Sequence, residues 1–310
     1  MASDFRIALI GQAAFGESVL NALMDAGETI AGVFCPPDKE GRPSDAIKVA
    51  ADKRSVPTFQ FRRMRSPEAI AAFRGLNADL GVMAFVTDIV PEDILKAPRL
   101  GTIQYHPSLL PKHRGPSSIN WPIIQGDTKT GLSIFWPDAG LDTGPILVQK
   151  ETPISPNDTL GTVYFDRLFP MGVQALVESV ALVKAGRAPR IAQEESQATY
   201  EGWCKAENCV IDWALSADAI HNLVRGADPS PGASTSFRGV SLQVFGSNRT
   251  PDVPMSPGSI VDITPEGLRI AAIGGSVRFA KVKASDGGGK VAAAEWAGRV
   301  GLKPGDRLGS

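Results

Sequence analysis

The sequence is poor in the residues on which several function classes depend. It has three cysteines in 310 residues, Cys35, Cys204 and Cys209, an odd number at irregular spacing. That usage argues against a disulfide framework and fits a reducing compartment, the cytoplasm. Cys204 and Cys209 lack nearby histidines or a second cysteine pair, so they do not read as a metal site. Long apolar runs are missing too. The run in "MASDFRIALIG", behind Asp4 and Arg6, is too brief for a signal core or a membrane span. Nor is there an excess of one charge: 32 Lys and Arg stand against 33 Asp and Glu, a formal net charge of -1. No global electrostatic case exists for nucleic acid or an anionic membrane. Nucleotide signatures are also lacking. Gly11 and Gly16 in "IALIGQAAFG" do not have the G-x-G-x-x-G spacing, no P-loop lysine follows, and no Ser-His-Asp order marks a hydrolase nucleophile elbow.

What is present is a change of pattern along the chain. Apolar strand-like runs at 5–11, 30–35, 80–85, 102–106, 132–136 and 146–151 alternate with amphipathic stretches at 16–26, 45–53, 67–74, 91–96 and 118–125. Such alternation predicts an α/β fold whose early strands are mostly parallel, with ligands bound beyond the strands' carboxyl ends. Residues 159–185 read as one long helix, and 186–202 as an extended linker. After a helix at 216–226, short alternating strands spaced by Gly, Pro and Asp predict a small β-barrel or sandwich. The predicted domains are 1–190 and 207–310, joined by a linker at 191–206.

Of only three histidines, two fall in "GTIQYHPSLLPKHRG", residues 101–115. His106 ends a predicted strand, and "DAGLDTG", residues 138–144, follows another. Both loops sit where an open α/β sheet carries its chemistry, so His106 and Asp142 can share a crevice as an acid/base pair. Read from pattern alone, the pair is either catalytic or merely structural, His106 closing a strand and Asp142 opening a turn. His113 and Arg114 read as residues that shape the cleft; Arg114 is as well explained by a surface loop as by contact with an anionic substrate tail. His221, on a predicted helix, reads as a packing residue.

The segments "YHPSLLPKHRGPSSINW" and "SIFWPDAGLDTGPILVQKE" resemble the formyltransferase family that uses 10-formyltetrahydrofolate. The resemblance is strongest to the N-terminal hydrolase domain of 10-formyltetrahydrofolate dehydrogenase, with methionyl-tRNA formyltransferase next. It continues through "PNDT", "LFPMG", "GRAPR", "ATYEG", "IDW" and "IHNLVRGADPSPGA", and so covers both domains. It implies a Rossmann-like formyltransferase domain followed by an OB-like C-terminal β-barrel domain, with His106 and Asp142 catalytic. It further implies a folate pocket between "AFVTDIVP", residues 84–91, and the aspartate loop. Phe85, Ile89 and Val90 would flank the pterin, and backbone groups around Asp88, Ala139, Gly140 and Leu141 would read its polar edge. Without the resemblance, Phe85, Ile89 and Val90 read as ordinary core residues.

The chemistry this implies is removal of a formyl group from an aromatic amine nitrogen through a tetrahedral oxyanion. His106 would stabilise that charge, while Asp142 would orient the attacking group, take its proton and hold the imidazole. Neither metal nor nucleotide is needed; 10-formyltetrahydrofolate is the formyl donor. Gln104 departs from the family. Amine-acting members carry asparagine two residues before the histidine and the hydrolase domain an aliphatic residue, so Gln104 keeps an amide but displaces it by a methylene, and does not decide between water and amine. Hydrolysis to formate and tetrahydrofolate is the expected reaction. The alternatives are transfer to methionyl-tRNA or a small amine, and a folate-binding regulatory protein. The loop "PPDKEGRPSDAIK" mixes charge signs, which disfavours a tRNA acceptor.

Overall fold

The computed structural model describes residues 5–285 and 287–309; Asp4 and the outer ends of the two expected domains lie outside the described residues. The chain divides into two compact units. One holds residues up to 115, 131–151 and 167–200; the other holds 116–130, 152–166 and everything from 201 onward. Two short excursions therefore group with the C-terminal unit, and residues 186–200 group with the N-terminal one.

The first half of the chain alternates strand and helix: β1 (Arg6–Gly11), α1 (Ala13–Asp25), β2 (Thr29–Cys35), α2 (Ala46–Lys53), β3 (Thr58–Gln60), α3 (Pro67–Gly75), β4 (Leu80–Ala84), α4 (Glu92–Leu95), β5 (Thr102–His106), α5 (Asn120–Gln125), β6 (Lys129–Phe135) and β7 (Ile146–Pro153). The sheet order is β3-β2-β1-β4-β5-β6-β7. The first five strands are parallel and β6 runs antiparallel to β5. This is the expected α/β, Rossmann-like sheet. Strands covered on both faces carry continuous apolar runs, as β1 and β4 do, with Ile7, Leu9, Leu80 and Val82 all fully buried. Strand order reverses between β1 and β4, and the crevice beyond the carboxyl ends at such a switch point is where open α/β sheets bind ligands.

Local chemistry sets the helix starts. Asp45 Oδ1 accepts the N–H of Ile47 at 3.1 Å and of Ala13 at 2.8 Å, capping α2 and holding the turn after β1. Ser66 caps α3 with Pro67 in the first turn. The helix expected over 159–185 is broken. It consists of α6 (Leu160–Val163), a π turn (Tyr164–Leu168) and α7 (Phe169–Lys184). Pro170 has no N–H to give to a carbonyl four residues back, and the wider turn accommodates that gap.

The C-terminal unit has helices α8 (Ala217–Gly226) and α9 (Ala293–Val300) and strands β8 (Ala233–Phe237), β9 (Val240–Thr250), β10 (Ile260–Thr264), β11 (Gly267–Ala272), β12 (Gly275–Ala284) and β13 (Val291–Ala292). Their order is β10-β11-β12-β9-β8, with β13 also on β12, and all recorded pairings are antiparallel. This agrees with the short alternating strands of the sequence. Two elements escaped it: β8 is "ASTSF", whose serines and threonine read as loop, and α9 follows a glycine run and lacks a side-chain cap.

His221 is a packing residue, as expected. It is buried, its Nε2 donates to the Pro156 carbonyl at 2.8 Å, and its Nδ1 meets Ser247 Oγ at 2.8 Å. Burial lowers its pKa below the ordinary histidine value. A lowered folded-state pKa means that the unfolded chain takes the proton first, so this group's contribution to stability is complete above about pH 6.5 and is lost as pH falls below it. The melting temperature of the protein should therefore fall more steeply on acidification below about pH 6.5 than that of His221→Gln. Parallel curves in thermal melts across that range would contradict this.

Candidate active site

His106 is the last residue of β5, paired with Ser133 across the β5–β6 ladder, and is 5% exposed. Pro107 has no N–H to continue the ladder, so the chain leaves the sheet there. The loop that follows is tied internally. Ser108 Oγ donates to the Lys112 carbonyl at 2.7 Å, while Ser133 Oγ donates to the Ser108 carbonyl at 2.7 Å and accepts the Leu110 N–H at 3.1 Å. Gln149 Nε2 donates to the Leu110 carbonyl at 2.6 Å. These bonds return the loop to its own start, and the His113 carbonyl lies 2.9 Å from His106 Nε2.

A carbonyl oxygen only accepts, so Nε2 carries the imidazole proton and the lone pair of the neutral ring is at Nδ1. Nδ1 faces Asp142 Oδ2 at 3.6 Å, and both side chains are 6% exposed. The same Oδ2 accepts the Gly115 N–H at 2.9 Å, which joins the aspartate loop to the histidine loop. Asp142 Oδ1 accepts no hydrogen bond among the described residues. The pair thus presents a ring lone pair and a carboxylate oxygen in a nearly dry setting.

The aspartate loop has its own supports. Asp138 Oδ1 accepts the Gly140 N–H at 3.0 Å and the Thr143 hydroxyl at 2.6 Å. Position 144 must be glycine, because a Cβ there would lie 1.8 Å from the Trp136 carbonyl oxygen. Asp142 sits at a φ of 58°, and two more of the seven non-glycine residues with positive φ among the described residues, Phe85 at 60° and His113 at 56°, lie in the loops singled out by the sequence. Clustering of this costly conformation marks the region as one held by its surroundings.

Those surroundings are residues 186–200, which the sequence presents as a linker. Gln193 Nε2 donates to the carbonyls of Asp142 at 2.8 Å and Gly144 at 2.7 Å. Arg114 is not a free surface arginine. It is 7% exposed and donates to Glu195 through Nη1 at 3.0 Å and Nη2 at 2.6 Å, and to Gln193 Oε1 at 2.8 Å. Thr199 Oγ1 accepts the His113 N–H at 2.8 Å, the Thr199 carbonyl accepts the Arg114 N–H at 3.1 Å, and the Thr199 N–H donates to the Pro111 carbonyl at 3.2 Å. One extended segment therefore grips both loops. Gln193, Glu195 and Thr199 were not legible as site residues, since isolated polar side chains without periodicity carry no signal of what they bind.

The remaining expected residues occupy the same unit. Phe85, Ile89 and Leu141 are 45%, 75% and 54% exposed, so the ordinary-core alternative fails for Phe85 and Ile89. Val90 is half-buried and packs on the cluster around Phe34 and Ile94. Ala139 and Gly140 are exposed on the aspartate loop. The Asp88 carboxylate is engaged locally, accepting the Met64 N–H at 2.8 Å and pairing with Arg63 at 3.5 Å. Gln104, two residues before His106, shares its face of β5; it is half-buried, and its carboxamide makes no hydrogen bond among the described residues.

Gln193→Ala removes both donations to the aspartate loop and should lower turnover at this site by up to about 10²-fold, the cost of a misplacement near 1 Å. Circular dichroism should stay unchanged, and Gln193→Glu, whose carboxylate cannot donate, should not restore turnover. Full turnover in Gln193→Ala would contradict the clamp.

Comparisons with known proteins agree with this architecture. The family model described as formyl transferase matches residues 5–180, and that described as formyl transferase, C-terminal domain, matches residues 204–300. The chain is 46% identical over 250 residues to mitochondrial 10-formyltetrahydrofolate dehydrogenase of Homo sapiens, covering 79% of this chain and 27% of that protein. It thus spans about a quarter of the dehydrogenase's length. It is 37% identical over 277 residues to methionyl-tRNA formyltransferase of Syntrophus aciditrophicus (strain SB), covering 87% of this chain and 88% of that protein. The crystal structure of HypX from Aquifex aeolicus in complex with tetrahydrofolic acid superposes with a TM-score of 0.70 at 16% identity, covering 96% of this chain and 47% of that one, a likeness of fold. With a family model on more than half of its residues and a relative matched over nearly its whole length, the chain belongs to the formyl transferase family.

Proposed function

We propose that this protein removes the formyl group from 10-formyltetrahydrofolate and passes it to water, giving formate and tetrahydrofolate. The observation that carries the reading is the buried His106–Asp142 pair, with the ring proton committed to the His113 carbonyl and the lone pair turned toward the carboxylate. Exposed Phe85, Ile89 and Leu141 on the flanking loops offer apolar surface to a flat heteroaromatic ring, which favours a folate over a small hydrophilic substrate.

The steps follow from the atoms. Water lodged against Asp142 Oδ1 is oriented by the carboxylate and loses a proton to His106 Nδ1 as its oxygen attacks the formyl carbon. The formyl oxygen takes up negative charge beside the new imidazolium, which a buried setting makes more effective than water would. The Gln104 carboxamide, on the same strand face, donates to that oxyanion. When the intermediate collapses, the C–N bond breaks and Nδ1–H returns the proton to the departing nitrogen of tetrahydrofolate. Asp142 holds the imidazolium through the cycle, and Gly115 N–H offsets part of the cost of burying the carboxylate.

An amine entering the same position would give transfer in place of hydrolysis. Incubation of the protein with 10-formyltetrahydrofolate alone should release tetrahydrofolate, followed spectrophotometrically, and an added amino sugar or methionyl-tRNA should not be required. His106→Ala and Asp142→Ala should each reduce kcat by about 10²–10⁴-fold. Gln104→Ala should reduce it by about 10²–10³-fold, the cost of losing one oxyanion donor. Release that occurs only with an amine present would replace water as the acceptor, and saturable folate binding without release would overturn the enzymatic reading.

A further inference from the structure

The C-terminal unit holds a pair of thiols in contact. Cys204 Sγ and Cys209 Sγ are 3.5 Å apart. The approach is built by the intervening turn. The Lys205 N–H donates to Asn208 Oδ1 at 2.9 Å, the Asn208 N–H returns to the Lys205 carbonyl at 3.0 Å, and residues Ala206–Cys209 form a 3-10 helix between the two sulfurs. Ahead of the turn, the Cys204 N–H is fixed by Ser117 Oγ at 2.9 Å. Behind it, Cys209 is fully buried in the cluster that contains Ile211 and Trp213. Cys204 is only half-buried, next to exposed Trp203 and Lys205.

A closed metal centre does not explain the pair, because no group of three or more His, Cys, Asp or Glu able to hold a metal occurs among the described residues. We propose that Cys204 and Cys209 are a redox-modification site, closing a reversible intrachain disulfide by exchange with a low-molecular-weight disulfide. A bond length of about 2.05 Å requires the sulfurs to close by roughly 1.5 Å, within reach of side-chain rotation on a short turn.

The two thiols have unequal roles. Cys204 is the accessible one, and a hydrogen bond from the Cys209 thiol lowers its pKa below the usual cysteine value. Donating that bond, and burial, push the Cys209 thiol up. Cys204 thiolate attacks one sulfur of the small disulfide, whose S–S bond breaks and releases one thiolate to be protonated by solvent. The mixed disulfide at Cys204 no longer carries the charge that held the Cys209 proton. Cys209 then loses that proton and attacks Cys204 Sγ, and the second small thiolate leaves with it. Two protein thiols are oxidised and one disulfide is reduced to two thiols. Cys35 is a built-in control, since burial pushes its thiol up to about 12 and no partner sulfur is near it among the described residues.

The sequence supplies the readout. Lys205 lies between the two cysteines, so trypsin separates them and only a disulfide keeps the two peptides joined. The fully reduced protein is incubated with glutathione disulfide, alkylated after denaturation, digested and analysed by mass spectrometry. Peptides linked through Cys204 and Cys209, with Cys35 alkylated, are expected. Cys209→Ser should stall with glutathione on Cys204, and Cys204→Ser should take up none. Because a buried substitution at Cys209 can impair folding, the unmutated protein is also titrated with phenylarsine oxide, which bridges paired thiols; one equivalent should protect both cysteines from alkylation. Both cysteines alkylated after oxidation, a lasting glutathione adduct on the unmutated protein, or arsenical protection of neither would each overturn the proposal.

Discussion

A backbone carbonyl that can only accept a hydrogen bond sets the tautomer of His106, and the proposed chemistry depends on it. With the His113 carbonyl 2.9 Å from His106 Nε2, the ring must carry its proton on that nitrogen and turn its lone pair to the side where Asp142 stands. Most of the surrounding structure follows from delivering that carbonyl. Leaving the sheet at Pro107, the loop is bent back by Ser108, Ser133 and Gln149, and it ends in a positive φ at His113. None of these side chains needs to touch a substrate to matter.

The second requirement is a buried carboxylate that survives desolvation. An unpaired carboxylate in such a setting would be strongly disfavoured, and here the Gly115 N–H supplies part of its compensation, to which the imidazolium of the proposed cycle adds. Both loops are then gripped from one side by residues 186–200, through Gln193, Thr199 and the Arg114–Glu195 pair. The site is thus assembled from three separated stretches of chain, two at strand ends and one that braces both. Proposed hydrolysis needs this bracing more than it needs any further reactive group, since water must be held where ring and carboxylate meet.

How much of this the sequence discloses depends on whether the signal is local. The strand ending at His106, the loop at Asp142 and the alternation of the first domain follow from apolar runs and turn residues, and the family resemblance rests on two long ordered motifs. Phe85 and Ile89 illustrate the opposite case: apolar residues near strand ends are usually core, and only their motif marked them for the surface where the structure puts them. Gln193 and Thr199 were illegible because their partners lie 51 and 86 residues away, at distances no periodicity records. The π turn was hidden for a related reason. Pro170 marks a break, but not which wider turn would absorb it.

The account stands or falls on water as the formyl acceptor at the His106–Asp142 pair. Turnover of 10-formyltetrahydrofolate by the purified protein in heavy-oxygen water, with the formate read by mass spectrometry, tests this most directly. One heavy oxygen atom in each formate, dependent on His106 and Asp142, is the predicted result. Unlabelled formate, or no formate until an amine is added, would contradict it.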